Sequence, residues 1–294
     1  MLNGAERGAQ ALGQLHKAIG RQTSEAALSV HRIDLSSDNG GSLIAEARER
    51  LSRAARFPKQ ALIYVHGYNN TFDDAVRRAA QIGYDLEFDG ITAAFAWPAR
   101  SGVAAYMGDR DRAATAAPFL LHMLETLGQA FPDVKVHIIG HSTGGEVILN
   151  ALERLADRSA NGPRVKLGEV ILAHADVNTT RLSAVMPSLR KLGVTVTSYS
   201  SGEDRAMLAS DWMRGDGARV GGAPVHLAGV DAIDISGLGV RFSWNHNTFV
   251  QSSMVFGDMA RLMATGERPP SKRTPYFAET KTDKGTHWEF RAPK

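Results

Sequence analysis

The chain has 294 residues, 43% of them hydrophobic and 22% charged, with 29 glycines, 11 prolines and no cysteine. That composition suits a globular chain able to bury a sizeable core, and it excludes a disulfide-stapled mini-protein, a thiolate metal or redox site and a fibrous polymer. The formal charge of +3 arises between Gly266 and Lys294, where basic residues exceed acidic ones by that amount, so the rest of the chain is formally neutral and no nucleic-acid partner is expected. No apolar run approaches the roughly 18 residues of a membrane span, so no membrane span is expected. Met1 to Arg7 do not lead into the apolar stretch of a secretory signal, and the expected location is the cytoplasm.

Residues 1–60 read as an N-terminal extension packed on the core. They carry a helical pattern near Ala9 to Ile19, a short strand at Leu28 to Leu35 and a charged helix over Ile44 to Ala55. From Ala61 onward, short apolar runs alternate with longer helical patterns. The runs are Ala61 to Val65, Ile91 to Trp97, Val134 to Ile139, Val170 to Ala173, Val194 to Tyr199 and Val230 to Ile235. Near-continuous apolar runs are what strands covered on both faces look like. Thr71-Phe72-Asp73-Asp74 has the form of a capping box, and Val76, Ala79, Ala80, Gly83 and Leu86 follow at helical spacing. This rhythm predicts an α/β fold, a doubly wound, mostly parallel sheet flanked by helices on both faces, over residues 61–265. Residues 266–294 read as a polar, mildly basic C-terminal tail.

The strand ending at Ile139 runs into Gly140-His141-Ser142-Thr143-Gly144, and a helix-compatible stretch from Glu146 to Leu155 follows. A Gly-x-Ser-x-Gly sequence between a strand and a helix predicts a sharp turn that projects the serine hydroxyl from the carboxyl edge of the sheet. A serine hydroxyl needs a base to take its proton, and imidazole has the suitable pKa. In the chain order of such elbows the acid and then the base follow the serine, which leaves His226, His246 and His287. His226 precedes a strand and His287 sits in the polar tail. His246, in Ser243-Trp244-Asn245-His246-Asn247 before the helical stretch Phe249 to Met263, is therefore the expected base. Asp204, after the strand ending at Tyr199, is the expected acid, with Asp176 in Ala173-His174-Ala175-Asp176 as the alternative. The amides of Tyr68 and Thr143 are expected to hold an oxyanion, and His66 reads as an anchor for the loop that carries Tyr68. Trp97 and Tyr106 on one loop, and Met207 and Trp212 on another, are expected to line an acyl or alcohol pocket.

Other chemistries fit less well. His137 and His141 have a zinc-ligand spacing, but the interval crosses a strand end, where the rings diverge, so no metal is expected. No lysine follows the glycines at Gly140 to Gly145 as a phosphate loop requires, and no dinucleotide fingerprint follows the first strand, so no cofactor is expected.

Val65-His66-Gly67-Tyr68-Asn69, Phe95-Ala96-Trp97-Pro98, Gly140-His141-Ser142-Thr143-Gly144 and Ser201-Gly202-Glu203-Asp204-Arg205-Ala206, taken in order, resemble the α/β-hydrolase superfamily and within it the bacterial domain-of-unknown-function 900 hydrolases. The resemblance covers about Ala61 to Met263. It implies a Ser-His-Asp serine hydrolase and leaves the substrate open. His174-Ala175 before Asp176, and Asn245 and Asn247 around His246, depart from that group's usual residues. The expectation is a carboxylic ester hydrolase acting on a small-molecule ester. The alternatives are a catalytically silent binding module on the same fold, or an acyltransferase or amidase using the same triad.

Overall fold

The computed structural model describes residues 41–99, 109–158, 165–202, 217–238 and 249–291. Helix α1 (Gly41–Arg53) precedes β1 (Gln60–Val65), α2 (Phe72–Asp85), β2 (Ile91–Phe95), α3 (Asp109–Ala130), β3 (Lys135–His141), α4 (Gly144–Arg158), β4 (Lys166–Ala173), α5 (Thr179–Lys191) and β5 (Val196–Ser200). Strand β6 (Val230–Asp234), α6 (Phe249–Thr265), a short α7 (Pro270–Arg273) and the strands β7 (Phe277–Thr282) and β8 (Gly285–Phe290) follow.

These strands form one sheet of eight, in the order β2-β1-β3-β4-β5-β6-β8-β7. Strands β1 to β6 are mutually parallel, β8 continues parallel to β6, and β7 runs antiparallel to β8. All six expected strands are present, and the sheet is the doubly wound, mostly parallel α/β fold. The alternation along β1 shows why it must be covered twice. Ala61, Ile63 and Val65 enter a core with buried residues of α3, α4 and α5, while Leu62 and Tyr64 enter a second core with α2 and α6. Side chains of a strand point to opposite faces in turn, so both faces of this strand exclude water. Helix α1 lays Ile44, Ala47 and Leu51 against the first core. The capping box forms as read. Thr71 Oγ1 accepts from the Asp74 amide at 3.2 Å, and Asp74 Oδ2 accepts from the Thr71 amide at 3.0 Å.

The C-terminal residues require a correction. The stretch 266–294 was expected as a polar tail, yet it contributes α7 and the β7–β8 hairpin, which extends the sheet. Buried charge holds it there. Arg273 is 2% exposed and grips Asp258 of α6 with Nε to Oδ1 at 2.8 Å and Nη2 to Oδ2 at 3.0 Å. The Tyr199 hydroxyl of β5 donates to the same carboxylate at 2.5 Å. The polarity that suggested a solvated tail belongs partly to this network, in which each buried charge has a hydrogen-bonded partner.

At the amino edge of the sheet, His137 is buried, with Nδ1 accepting from the Glu169 amide at 3.0 Å and Nε2 donating to Gln60 Oε1 at 2.8 Å. Both ring nitrogens are thus engaged by the sheet itself. Burial, reinforced by the Lys135 charge, pushes the imidazole from 6.5 down to about 3. Between those values the unfolded chain binds a proton that the folded chain excludes, so this contribution is lost as pH falls from 6.5 toward 3. The expected outcome is a urea-unfolding free energy that drops on acidification by at most about 1.4 kcal/mol per pH unit from this group. His137→Gln should make the slope shallower, and parallel wild-type and variant profiles would refute the assignment.

Candidate active site

The carboxyl ends of β1, β3, β4, β5 and β6 all lie on one edge of the sheet because these strands are parallel. Strand β3 ends at His141 and α4 begins at Gly144, so the chain reverses through Ser142 and Thr143 alone. Ser142 takes φ +51°, a left-handed conformation unusual for a residue with a side chain. Such strain, of order 1–3 kcal/mol, persists only where the surroundings over-determine it. Here the Ser142 amide donates to Ala173 O at 3.3 Å, and its carbonyl accepts from Gly145 at 3.1 Å and from Asp176 at 3.1 Å. Ser142 is half-buried, whereas Thr143 is 2% exposed.

The strand-to-helix packing around this turn leaves no room for side chains on its glycines. A Cβ on Gly144 would sit 2.5 Å from Val65 O and 2.6 Å from His66 O, so the first turn of α4 rests on the end of β1. A Cβ on Gly67 would sit 2.7 Å from Ser142 Cβ and 2.8 Å from His141 O. The exit of β1 and the serine elbow, 75 positions apart in the sequence, therefore touch through backbone. The amino end of α4 directly follows, and the partial positive charge of a helix N-terminus favours developing negative charge nearby.

The loop after β1 is shaped by its own polar groups. Asn70 Nδ2 donates to Tyr68 O at 2.8 Å and to Gly67 O at 3.2 Å, and Asn69 takes φ +55°. His66 is fully buried. Its Nε2 accepts from the Trp97 amide at 3.0 Å, so its proton sits on Nδ1, which donates to Gly67 O at 2.8 Å. His66 is thus the loop anchor that its place in the chain suggested. Trp97 completes the lock. Its indole stacks on the His66 ring at 5.6 Å between centroids, and its Nε1 donates to His66 O at 2.7 Å. Trp97 was expected as pocket lining; it is 4% exposed, and its indole N–H holds the loop that carries Tyr68.

Asp176, which follows β4, is 1% exposed and lies beside the elbow through its amide bond to Ser142 O. Its carboxylate pairs with the buried Arg219, Nε to Oδ1 at 3.5 Å. Arg219 had no place in the sequence reading. The available signal was a lone guanidinium between Ala218 and Val220, in a stretch otherwise small and apolar. Asp204 and His246, together with Tyr106, Met207 and Trp212, lie outside the described residues. The structure thus brings together Ser142, Thr143, Tyr68 and Asp176 at one sheet edge.

A parallel sheet wrapped by helices on both faces, with a strained serine between a central strand and its helix, defines an α/β-hydrolase-type protein. Residues 42–265 match the family described as alpha/beta hydrolase of unknown function (DUF900), and the chain belongs to that family. The uncharacterized protein alr1448 of Nostoc sp. is 31% identical over 65 residues, a stretch covering 22% of this chain and 17% of that protein's length. Among solved structures, phosphonate-inhibited esterase B from Lactobacillus rhamnosis aligns with 90% of this chain and 99% of its own, at 10% identity and a TM-score of 0.42. MenH from S. aureus aligns with 71% of this chain and 96% of its own, at 12% identity and a TM-score of 0.38. At such identities these likenesses say nothing about chemistry.

Gly67→Ala is expected to destabilise the fold by about 1–3 kcal/mol in urea unfolding, because the methyl meets backbone and the Ser142 side chain. Gly257→Ala, in α6 where an added Cβ meets nothing within 4 Å, is expected to stabilise it by about 0.5–1 kcal/mol. Equal effects at the two sites would show that the β1 exit does not press on the elbow.

Proposed function

We propose that this α/β hydrolase is a serine hydrolase that cleaves a carboxylic ester of a small molecule through an acyl-enzyme intermediate. Ser142 is the nucleophile, His246 the base and Asp204 the acid, with Asp176 the alternative acid. His246 takes the Ser142 proton as Oγ bonds to the acyl carbon, and the Tyr68 and Thr143 amides stabilise the tetrahedral oxyanion. Collapse breaks the ester C–O bond and the departing alkoxide takes the proton from His246; His246 then takes a proton from water as the water oxygen bonds to the acyl carbon, and returns it to Ser142 Oγ as the acyl–Oγ bond breaks. Tyr106, Met207 and Trp212 would line the pocket for the acyl or alcohol part.

The observation that carries this reading is the left-handed backbone of Ser142 at the amino end of α4. A structural turn is far more simply built with glycine at that position, and strain retained at a half-buried serine marks a site whose hydroxyl has a use. The neutral, doubly bonded His66 supports a base from elsewhere in the chain, since its Nε2 already accepts from Trp97.

Ser142→Ala is expected to lower kcat on p-nitrophenyl esters by roughly 10⁴ to 10⁶ without loss of fold, and to abolish labelling by a fluorophosphonate probe. Turnover retained by folded Ser142→Ala protein would end the proposal. Varying the acyl length of these esters would report the size of the pocket. Between the two acids, Asp204→Asn is expected to cost kcat about 10⁴, the scale of a triad carboxylate, and Asp176→Asn distinctly less. The reverse order at matched stability would transfer the role to Asp176.

A further inference from the structure

Of the hydrogen bonds that hold Ser142 in its left-handed conformation, one comes from α4. The others come from the turn that leaves β4, through Ala173 O and the Asp176 amide. That turn is itself strained, with His174 at φ +45°. It is held by residues 217–222, which run across it as a strap. The Val220 amide donates to Val177 O at 2.9 Å, Gly221 donates to Ala175 O at 2.8 Å, and Thr179 donates to Ala218 O at 3.0 Å. A Cβ on Gly221 would lie 2.4 Å from His174 C, so the strap lies directly on the turn, and Ser201 at the exit of β5 donates to Gly221 O at 3.0 Å. The strap and the turn are also joined by charge, where Arg219 at 3% exposure faces Asp176 at 1%.

Backbone ladders alone would hold a turn of this kind, and burying two charges carries a desolvation cost that an apolar pair avoids. The pair also gives what apolar packing does not, an attraction between opposite charges on the strap and on the residue whose amide holds the Ser142 carbonyl. We infer that Asp176 and Arg219 are positioning residues for Ser142: the ion pair fixes the Asp176 amide under the elbow and so keeps the serine hydroxyl in its attacking orientation. The inference rests on the serine-hydrolase reading, goes beyond it, and assigns Asp176 a role other than triad acid.

The test compares the full-length protein with Arg219→Gln, Asp176→Asn and the double variant, in which two amides replace the two charges. Rates of fluorophosphonate labelling of Ser142, kcat and KM on a p-nitrophenyl ester, and amide hydrogen exchange at Asp176 and Gly145 are measured on each. Each single variant is expected to lower kcat and the labelling rate about 100-fold with KM little changed, the scale of a misplaced reacting group. Exchange at the Asp176 amide should quicken in both. The double variant should return all three readouts to within a few-fold of wild type. If a single variant does not fold, a double variant that folds and labels still demonstrates the coupling. The inference is overturned if Asp176→Asn costs roughly 10⁴ and Arg219→Gln does not restore it, as for a triad carboxylate. It is equally overturned if the singles destabilise the fold while labelling and Asp176 exchange stay at wild-type rates, as for an ion pair of purely structural use. Should the wild type neither label nor turn over esters, the hydrolase reading fails by itself, and the exchange measurements still decide whether the pair holds the elbow.

Discussion

The close approach of three backbone segments around Ser142 is the constraint on which the site is built. The end of β1 presses on Gly144, the Gly67 backbone faces the Ser142 side chain, and the turn after β4 binds both polar groups of the Ser142 backbone. None of these contacts is a side-chain packing preference that a different apolar residue could satisfy. They require backbone at van der Waals distance, which glycine alone permits at Gly67 and Gly144. A strained conformation at one residue is affordable because neighbouring strands of a parallel sheet deliver their exits to the same edge, where each exit can brace the next.

The face of the sheet covered by α2 and α6 shows a different solution to the same problem of fixing one element against another. Helix α6 must be seated on the sheet, and it is held through Asp258 by Arg273 from α7 and by the Tyr199 hydroxyl from β5. Burial and the adjacent Asp258 carboxylate hold the Tyr199 hydroxyl well above its ordinary range, so it remains a donor. Arg268 adds ion pairs to Glu169 of β4 at 2.5 Å and Asp231 of β6 at 3.5 Å. Burial is the largest influence on both carboxyls and raises them, with Arg268 opposing it. Removing one partner from such a network leaves a buried charge unpaired, which is why polar residues near the C-terminus are structural here and not decoration of a solvated tail.

The elements that were legible from sequence share a physical reason. Strands β1 to β6 are covered by helices, so their apolar runs are near-continuous and stand out from the helical spacing between them. The Thr71 capping box was legible because its partners are three residues apart. The hairpin β7–β8 was not, because it forms the sheet margin. Glu279, Lys281 and Thr282 are exposed, while Phe277 and His287 alone among its residues are buried. Edge strands with charged outward positions resemble loops in composition. At the candidate site, the strand-to-helix turn at Ser142 was recognisable through its flanking glycines. The pairing of Arg219 was hidden, since its partner Asp176 lies 43 positions away.

Local chemistry along the chain was therefore enough to determine the alternation of strand and helix, the two-sided burial of the sheet and the sharp turn that carries Ser142, because each depends on periodicity or on residues within a few positions. Which exits brace that turn, that Trp97 and His66 lock the neighbouring loop, and that the polar C-terminal residues complete the sheet were decided only by tertiary structure. Those arrangements rest on backbone proximity and buried charge pairing between distant segments, and neither leaves a spacing for a sequence to display.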